Sequence, residues 1–540
     1  MTVNDVSPVR HLVRHATHHR NATALIYEGG VWTYGEFAEH VHRLAAALRS
    51  DGIGPGDRIA YAGVNSVSFL TGYFAAAWVG AAFVPLNFRL AGPELREILL
   101  DARPDVLIAE PYHARLIDPF LGELSVRRPL IVDDDPAAAA DEAPTAEWQS
   151  YGRFRVSVTA GAPPAPRHED DLAVVLYTSG TTGRAKGVML THGNIWWNWV
   201  NVDTVVDTRV GDVCLAIAPL FHIGGLNALV LRTLTRGGTV VVRRIFDPAQ
   251  TLDDLVRLRV NSMFVVPAML AAIQRQPGFA EADLGALRST IAAGAPVPPA
   301  LIASYAERGV YLQQAWGLTE TSPFSTYLEA ARTLDKLGSC GVPMPYTEVR
   351  IVDPATHDEV ADPAVTGEFW VRGPNVSPGY WNNPEATAAA FTSDGWFRTG
   401  DIGYRDPDGY FFIVDRLKDM IISGGENVYP AELENVLSAH PLILDVAVVG
   451  VPDEKWGEAV CAVVSVSEGS PSLEEIREFA SASIARYKLP TRLLVWDEVP
   501  RNGAGKLDKP TIRTRVAEHV ERHRGEVPTA SFTETLKLPR

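Results

Sequence analysis

The chain has 540 residues, 46% of them hydrophobic, 21% charged and 9% aromatic, which excludes a disordered chain, a collagen-like repeat and a small disulfide scaffold. Against 49 Lys+Arg stand 65 Asp+Glu, a net charge of −16, so non-specific binding to nucleic acid or anionic lipid is excluded and any anionic ligand must meet local donors. The three cysteines, Cys214, Cys340 and Cys461, lie far apart with no C-x-x-C spacing and support neither a disulfide framework nor a cysteine zinc site.

The N-terminal MTVNDVSPVRHLVRHATHHRN has no apolar stretch of the signal-peptide kind, and the final LKLPR is not an S-K-L address, which predicts a cytoplasmic protein. From Val31 to about Val132, helical patterns such as EFAEHVHRLAAALRS alternate with short apolar strands (RIAYAG, VLIAE, PLIVD), the rhythm of an α/β layer with a largely parallel sheet. Within it Phe69 to Phe88 runs twenty residues without a charge, long enough to span a bilayer on length alone. Its Ala, Gly, Thr, Pro and Asn content, and Pro85 after a β-like AAFV, predict instead a buried helix ending near Gly80 and a buried strand. The Ala-, Pro- and acid-rich segment from Asp134 to Asp171 reads as a surface excursion.

A second α/β unit follows, with VCLAIA, TVVVRRI, SMFVVP and TIAAG as strands and PAQTLDDLVRLR as a helix. From about Gly338 short strands with turn residues (EVRIVD, GEFWVRG, GYFFIVD) predict a smaller β-rich subdomain. Beyond a boundary near Asp415 to Lys418 comes a compact α+β unit of domain size, with a helix opening after Pro430, strands DVAVVGV, EAVCAVVSV and TRLLVWD, and helix SLEEIREFASASIA.

The most informative segment is Tyr177 to His192, YTSGTTGRAKGVMLTH, preceded by the apolar strand LAVVLY and continued by KGVML as a second strand. Its three glycines, four hydroxyls (Thr178, Ser179, Thr181, Thr182) and the cations Arg184 and Lys186 are what a polyphosphate needs, with a Gly/Thr/Ser surface turn as the plain alternative. It is not a P-loop, because Ala185 precedes Lys186, Gly187 follows it, and the context is strand, loop, strand.

This run resembles the phosphate-binding signature of the adenylate-forming superfamily, which includes acyl-CoA synthetases, non-ribosomal adenylation domains and firefly-type luciferases. The resemblance extends, in family order, through APLFHIGGLN, AAGAPVP, QQAWGLTET, GEFWVRGPNVSPGYWNNPE, GWFRTGD, DRLKDMIISGGENVYPAELE and RNGAGK, covering most of residues 30 to 510. It implies a fold with a large AMP-binding domain over 1–415, built of two α/β sheet subdomains and the β-rich one, a hinge at 416–418, and a small mobile α+β domain over 419–540. It implies a two-step reaction: a carboxylate attacks the α-phosphate of ATP to give an acyl-adenylate and pyrophosphate, then a thiol takes the acyl group and AMP leaves.

The same resemblance assigns roles. Lys506 would bridge carboxylate and α-phosphate, and Glu320 would hold Mg²⁺ between phosphates. Thr178, Ser179, Gly180, Thr181, Thr182, Gly183 and Lys186 would cradle the phosphates. Gly294, Ala295 and Pro296, with Gln314, Ala315, Trp316, Gly317, Leu318 and Thr319, would surround the adenine, Trp316 stacking on it. Asp401 would accept the ribose hydroxyls, Arg416 would reach ribose or phosphate, and Lys418 stands at the hinge position. Ser423, Gly424, Gly425 and Glu426 would line the thiol tunnel, although Ile422 stands where many relatives carry Lys. His222, Gly224, Gly225, Leu226, Asn227, Met269, Ala293 and Leu318 would line the acyl pocket, His222 also gating the tunnel, unless it is a plain core histidine. The Gly224–Gly225 pair replaces a bulkier, Tyr-containing pair of plant coumarate ligases and predicts a roomy apolar pocket. Apolar residues in FHIGGLN, where amino-acid-activating relatives place an Asp, argue against an amino-acid substrate. Trp196, Trp197 and Trp199 fit either core packing or a pocket edge.

The expected activity is an acyl-CoA synthetase for a hydrophobic carboxylic acid (medium or long fatty, aryl or bulky alicyclic), using ATP, Mg²⁺ and coenzyme A, with no nucleic acid, no integral membrane span and a homodimer allowed. The alternative is an acyl-adenylate ligase loading a carrier-protein thiol in trans, and more remotely a luciferase-like oxygenase.

Overall fold

The structure is a computed structural model that describes residues 5–138, 147–158, 161–178, 185–423, 426–453, 457–467, 469–502, 506–522 and 532–535. The chain divides into two compact units, 1–349 with 370–398, and 350–369 with 399–540.

Two large sheets organise the first unit. In one, six parallel strands (Thr23–Tyr27, Thr239–Val242, Val213–Ala216, Ser262–Val265, Ser289–Ala292 and Leu312–Trp316 in spatial order) continue at the last strand into antiparallel Thr326–Tyr327 and Val342–Pro343. In the other, Leu172–Thr178, Ala82–Leu86, Arg58–Ala62, Val106–Ala109, Arg128–Ile131 and Gln149–Ser150 run parallel. Lys186–Thr191 and Gly379–Tyr380 extend it antiparallel beyond Leu172–Thr178. Their parallel strands are near-continuous apolar runs because both faces are covered, as the α/β rhythm predicted.

The uncharged stretch is the helix Val67–Val79 followed by the strand Ala82–Leu86. Every residue of that helix is buried, so it needs no polar face, and Gly80 ends it in the left-handed region at φ 87°. No helix among the described residues is long and apolar enough to cross a membrane. The segment after Asp134 departs from the expected surface excursion: Trp148 is 8% exposed and Tyr151 2%, both packed into the core. Single aromatics set in Ala, Pro and acidic residues carry no periodicity, so the sequence pattern hides their burial. The three cysteines are buried and form no disulfide among the described residues.

Asn65 ties the two sheets together. Its side-chain amide donates to the carbonyls of Ala218 and Arg243, each at 3.1 Å, and its Oδ1 accepts from Leu220 N at 2.7 Å. The turn that delivers Phe221 and His222 is therefore held by a fully hydrogen-bonded buried amide.

In the second unit, the hairpin of Phe397–Arg405 with Phe411–Arg416 pairs Asp401 with Arg416 across the strands. Beyond it, the strand Gly457–Val466 pairs antiparallel with Ile443–Asp453 along its length and also pairs with Ile421–Ser423, antiparallel, and with Arg492–Val495, parallel. The helices Pro430–Leu437 and Leu473–Ser481 contribute Leu433, Leu437, Ile476 and Ala480 to the same apolar cluster as this sheet.

Candidate active site

Ligands of open α/β sheets bind beyond the carboxyl ends of parallel strands. In the first unit His222, Val266, Ala293, Gly294 and Gly317 follow those ends. Gly294, Ala295 and Pro296 are exposed, while Gln314, Ala315 and Trp316 are buried and Gly317, Leu318 and Thr319 half-buried. At Gly317 a side chain is impossible without rebuilding the turn, since a Cβ would lie 1.8 Å from the carbonyl oxygen of Pro323. That tight turn carries Glu320.

Glu320 is 8% exposed and lies in the short helix Thr319–Thr321. Its Oε1 accepts a hydrogen bond from the Tyr380 hydroxyl at 2.8 Å, and its backbone carbonyl accepts from Ser377 N at 2.7 Å. Asn375, fully buried, donates from Nδ2 to the carbonyls of Thr321 and Phe324 at 2.8 and 2.9 Å while its Oδ1 accepts from Thr347 Oγ1 at 2.8 Å. Asn194, on the helix His192–Val205, donates to the carbonyls of Pro374 and Val376, both at 2.9 Å. The stretch 374–380 thus fastens the turn around Glu320 from outside.

Lys186 stands opposite Thr178 in the antiparallel pair of Leu172–Thr178 with Lys186–Thr191, the strand, loop, strand context expected. Ser179, Gly180, Thr181, Thr182 and Gly183 lie outside the described residues. The Lys186 ammonium is 5.2 Å from the centre of the Tyr380 ring, within cation–π reach. Tyr380 therefore offers its face to a cation and its hydroxyl to a carboxylate. Burial, then the Glu320 charge and its hydrogen bond, push the Tyr380 phenol well above its ordinary range, so it stays a donor. No role was assigned to Tyr380 from sequence. The signal was present in GYWNNPE, but its partners are distant in the chain.

A hard divalent cation takes carboxylate oxygen together with phosphate oxygen. Glu320 offers one carboxylate, and groups of three or more His, Cys, Asp or Glu able to hold a metal alone do not occur among the described residues. The donor set fits a cation whose other oxygens come from a nucleotide and water.

On the other side of the sheet ends, His222 is half-buried with its ring 4.1 Å, centre to centre, from that of Phe221. Leu226 and Asn227 are fully buried. Asn227 accepts from Trp199 Nε1 at 2.7 Å and donates to Ser322 O at 2.6 Å, so its side chain braces the Glu320 turn from the core. Trp199 is 1% exposed, in keeping with core packing. Met269 and Ala293 are 9% and 8% exposed, and Leu318 is half-buried. Gly224 and Gly225 are forced by close approach: a Cβ on Gly224 would meet Phe264 Cζ at 2.5 Å, and one on Gly225 the Pro219 carbonyl oxygen at 2.1 Å. The room these glycines leave is already filled, by an aromatic ring and by backbone, so they do not by themselves open the roomy pocket expected.

The second unit carries its own group. Asp401, 3% exposed, pairs with Arg416 Nε at 2.5 Å. Lys418 is exposed in the turn that follows, its ammonium pushed below the ordinary lysine range by the protein around it. Lys506 is exposed, yet the protein around it, and after that the Arg416 guanidinium, press its ammonium below the ordinary lysine range. Asp401, Arg416 and Lys506 therefore feel one another electrostatically. Ser423 ends the strand Ile421–Ser423, Gly424 and Gly425 lie outside the described residues, and Glu426 opens the strand Glu426–Val428.

Residues 12–381 match the family model described as AMP-binding enzyme, and residues 432–506 that of the AMP-binding enzyme C-terminal domain. A feruloyl-CoA synthase of Amycolatopsis sp is 43% identical over 93% of this chain and 98% of that protein. An indoleacetate–CoA ligase of Aromatoleum aromaticum is 41% identical over 93% of this chain and 97% of its own length. The ATP-bound crystal structure of MatB from Rhodopseudomonas palustris superimposes with a TM-score of 0.86 at 28% identity, over 96% of this chain and 100% of that one. With both domain models matched, and two CoA ligases aligned over nearly their whole length, the chain belongs to the AMP-binding enzyme family and is an acyl-CoA synthetase of the adenylate-forming superfamily.

Proposed function

We propose that the enzyme activates a hydrophobic carboxylic acid as its acyl-adenylate and transfers the acyl group to coenzyme A in the cytoplasm. The observation that carries this reading is the pairing of Glu320 and Lys186 through one buried tyrosine, beside a wall of apolar and half-buried residues at the strand ends. Of the acids considered, two similar ligases are named for feruloyl-CoA and indoleacetate, both aromatic, which weights the choice toward an aryl acid.

In this reading Lys186 and the loop after Thr178 hold the phosphates, while the flat surface of Gly294, Ala295, Pro296 and Trp316 takes the adenine. Mg²⁺, held by Glu320, supplies neutralisation of phosphate charge when bound. Asp401 releases Arg416 in part to accept ribose hydroxyls, and Lys506 brings its positive charge to the two anions that must meet. A hinge at 416–418 then separates the adenylating and thioester-forming states, with 423–426 serving the thiol. The acid side needs only shape and apolar contact at His222, Met269, Ala293 and Leu318.

The test is pyrophosphate release from MgATP across a panel of carboxylic acids, with and without coenzyme A, in wild type and Lys506→Ala. Acid-dependent release that requires Lys506, followed by thioester formation, is the expected result. Release without consumption of coenzyme A would send the acyl group to a carrier protein, and no release with any acid would overturn the reading.

A further inference from the structure

Phe264 is the second-last residue of the strand Ser262–Val265, which has neighbours on both sides, Val213–Ala216 and Ser289–Ala292. A strand so placed is covered on both faces, and side chains alternate between them. Met263 and Val265 point to one face and are 0% exposed within a closed core. Phe264 points to the other and is only half-buried. That remaining surface lies near the strand ends, where Val266, Leu318 and His222 are also half-buried.

The ring is wedged at its far end. Its Cζ and Cε1 come so close to Gly224 that a Cβ there would sit 2.5 and 2.7 Å away, and on another side it packs with Phe324 at 6.3 Å between ring centres. Gly225 cannot yield, because it is pressed on the Pro219 carbonyl, and Phe324, 1% exposed, is locked in the core. The ring therefore reaches from the sheet to the helix Ile223–Asn227 and closes the depth that the glycine pair would otherwise leave.

The geometry points to Phe264 as the floor of the acyl site, a specificity residue that admits a compact aryl acid stacked on its ring and excludes an extended alkyl chain. This rests on the proposed activation of a hydrophobic acid and names which part of that class fits. An apolar wall discriminates by about 10- to 200-fold per methylene it excludes or leaves without contact. Aromatic rings gain by offset or edge contact with an aromatic floor.

The experiment compares kcat/KM, read as pyrophosphate release, for cinnamate and for palmitate in wild type, Phe264→Ala and Phe264→Leu, with melting temperature recorded for each. Wild type is expected to prefer cinnamate by at least about tenfold, and Phe264→Ala to lower that preference by at least about tenfold, through loss on cinnamate and gain on palmitate. Phe264→Leu should shift it in the same direction by less, and it carries the measurement if the alanine variant does not fold. Adding Gly224→Ala should depress cinnamate turnover in wild type by pushing the ring into the site, and do so far less in the Phe264→Ala background, a non-additivity expected only of contacting residues. A folded variant whose acid preference stays within about twofold of wild type, or a wild type that prefers palmitate, overturns the assignment of Phe264 while acid-dependent release itself stands. Absence of release with every acid in wild type would overturn the activity, and this inference with it.

Discussion

Tyr380→Phe removes one oxygen and leaves the ring beneath Lys186 in place. The lost contact is a 2.8 Å hydrogen bond to Glu320, between two side chains each 8% exposed, where bulk water does not readily replace it. A hydrogen bond to a charged group is worth about 1.5 to 3 kcal/mol, so kcat/KM for MgATP should fall about 10- to 150-fold. The KM for the acid should change little, because the tyrosine faces the phosphate side. Tyr380→Leu also removes the ring and should cost a further factor of about 2 to 30, the range of a partly desolvated cation–π contact. Pyrophosphate release with MgATP and the acid varied in turn reads these effects. A Tyr380→Phe enzyme within twofold of wild type would refute the view that this hydroxyl orients a carboxylate that binds the metal.

His192 is 1% exposed, neither ring nitrogen has a hydrogen-bond partner among the described residues, and burial lowers its pKa from the ordinary 6.5 to about 4. Protons then bind the unfolded chain first, so its penalty is nil above about pH 6.5 and grows to about 2 to 3 kcal/mol near pH 4.5. Urea unfolding of wild type and His192→Phe at pH 7 and at about pH 4.5 should show the variant losing less stability on acidification by that amount. In the proposed reaction Lys506 acts as a cation, so its lowered pKa should bring the loss of activity at alkaline pH below the ordinary lysine range. Arg416→Met should move that alkaline limb of the pyrophosphate-release profile upward, and an unmoved limb would dissociate the two groups. Gly317→Ala places a Cβ 1.8 Å from a backbone oxygen, a clash costing about 3 kcal/mol or more; a lowered melting temperature together with lost adenylation would report displacement of Glu320.

Much of the scaffold was legible. Val67–Val79 and Ala82–Leu86 followed from an uncharged run broken by Gly80 and Pro85, and the strands at 58, 106, 213, 239, 262 and 289 from short apolar runs between turn residues. These signals are local. What escaped depends on pairing between distant segments: Tyr380 meets Lys186 because Gly379–Tyr380 adds to the edge of Lys186–Thr191, a partnership no periodicity encodes. Tyr151 is buried in a stretch whose composition is that of a surface loop. The glycine pair was read as empty space because sequence gives the residue that is small and not the neighbour that fills it. Phe264, forty residues away, is that neighbour for Gly224, and the Pro219 carbonyl for Gly225.

A protein of net charge −16 that binds ATP and a carboxylate must solve an electrostatic problem locally, because its overall field repels both and is screened beyond about 8 to 10 Å. The first unit answers by placing a cation and a carboxylate around one tyrosine, which touches Lys186 with its face and Glu320 with its hydroxyl. A direct buried ion pair would have to be separated before phosphate and metal could enter, at a cost that grows with desolvation. A neutral aromatic spacer anchors both charges and, in the proposed reaction, leaves the ammonium able to turn toward phosphate. The positions are set beforehand by buried hydrogen bonds: Asn375 on the carbonyls of Thr321 and Phe324, Ser377 on that of Glu320, and Asn227 on that of Ser322. Donors and carbonyls paired in this way do not reorganise when the nucleotide arrives, so binding energy is available for bringing two anions together.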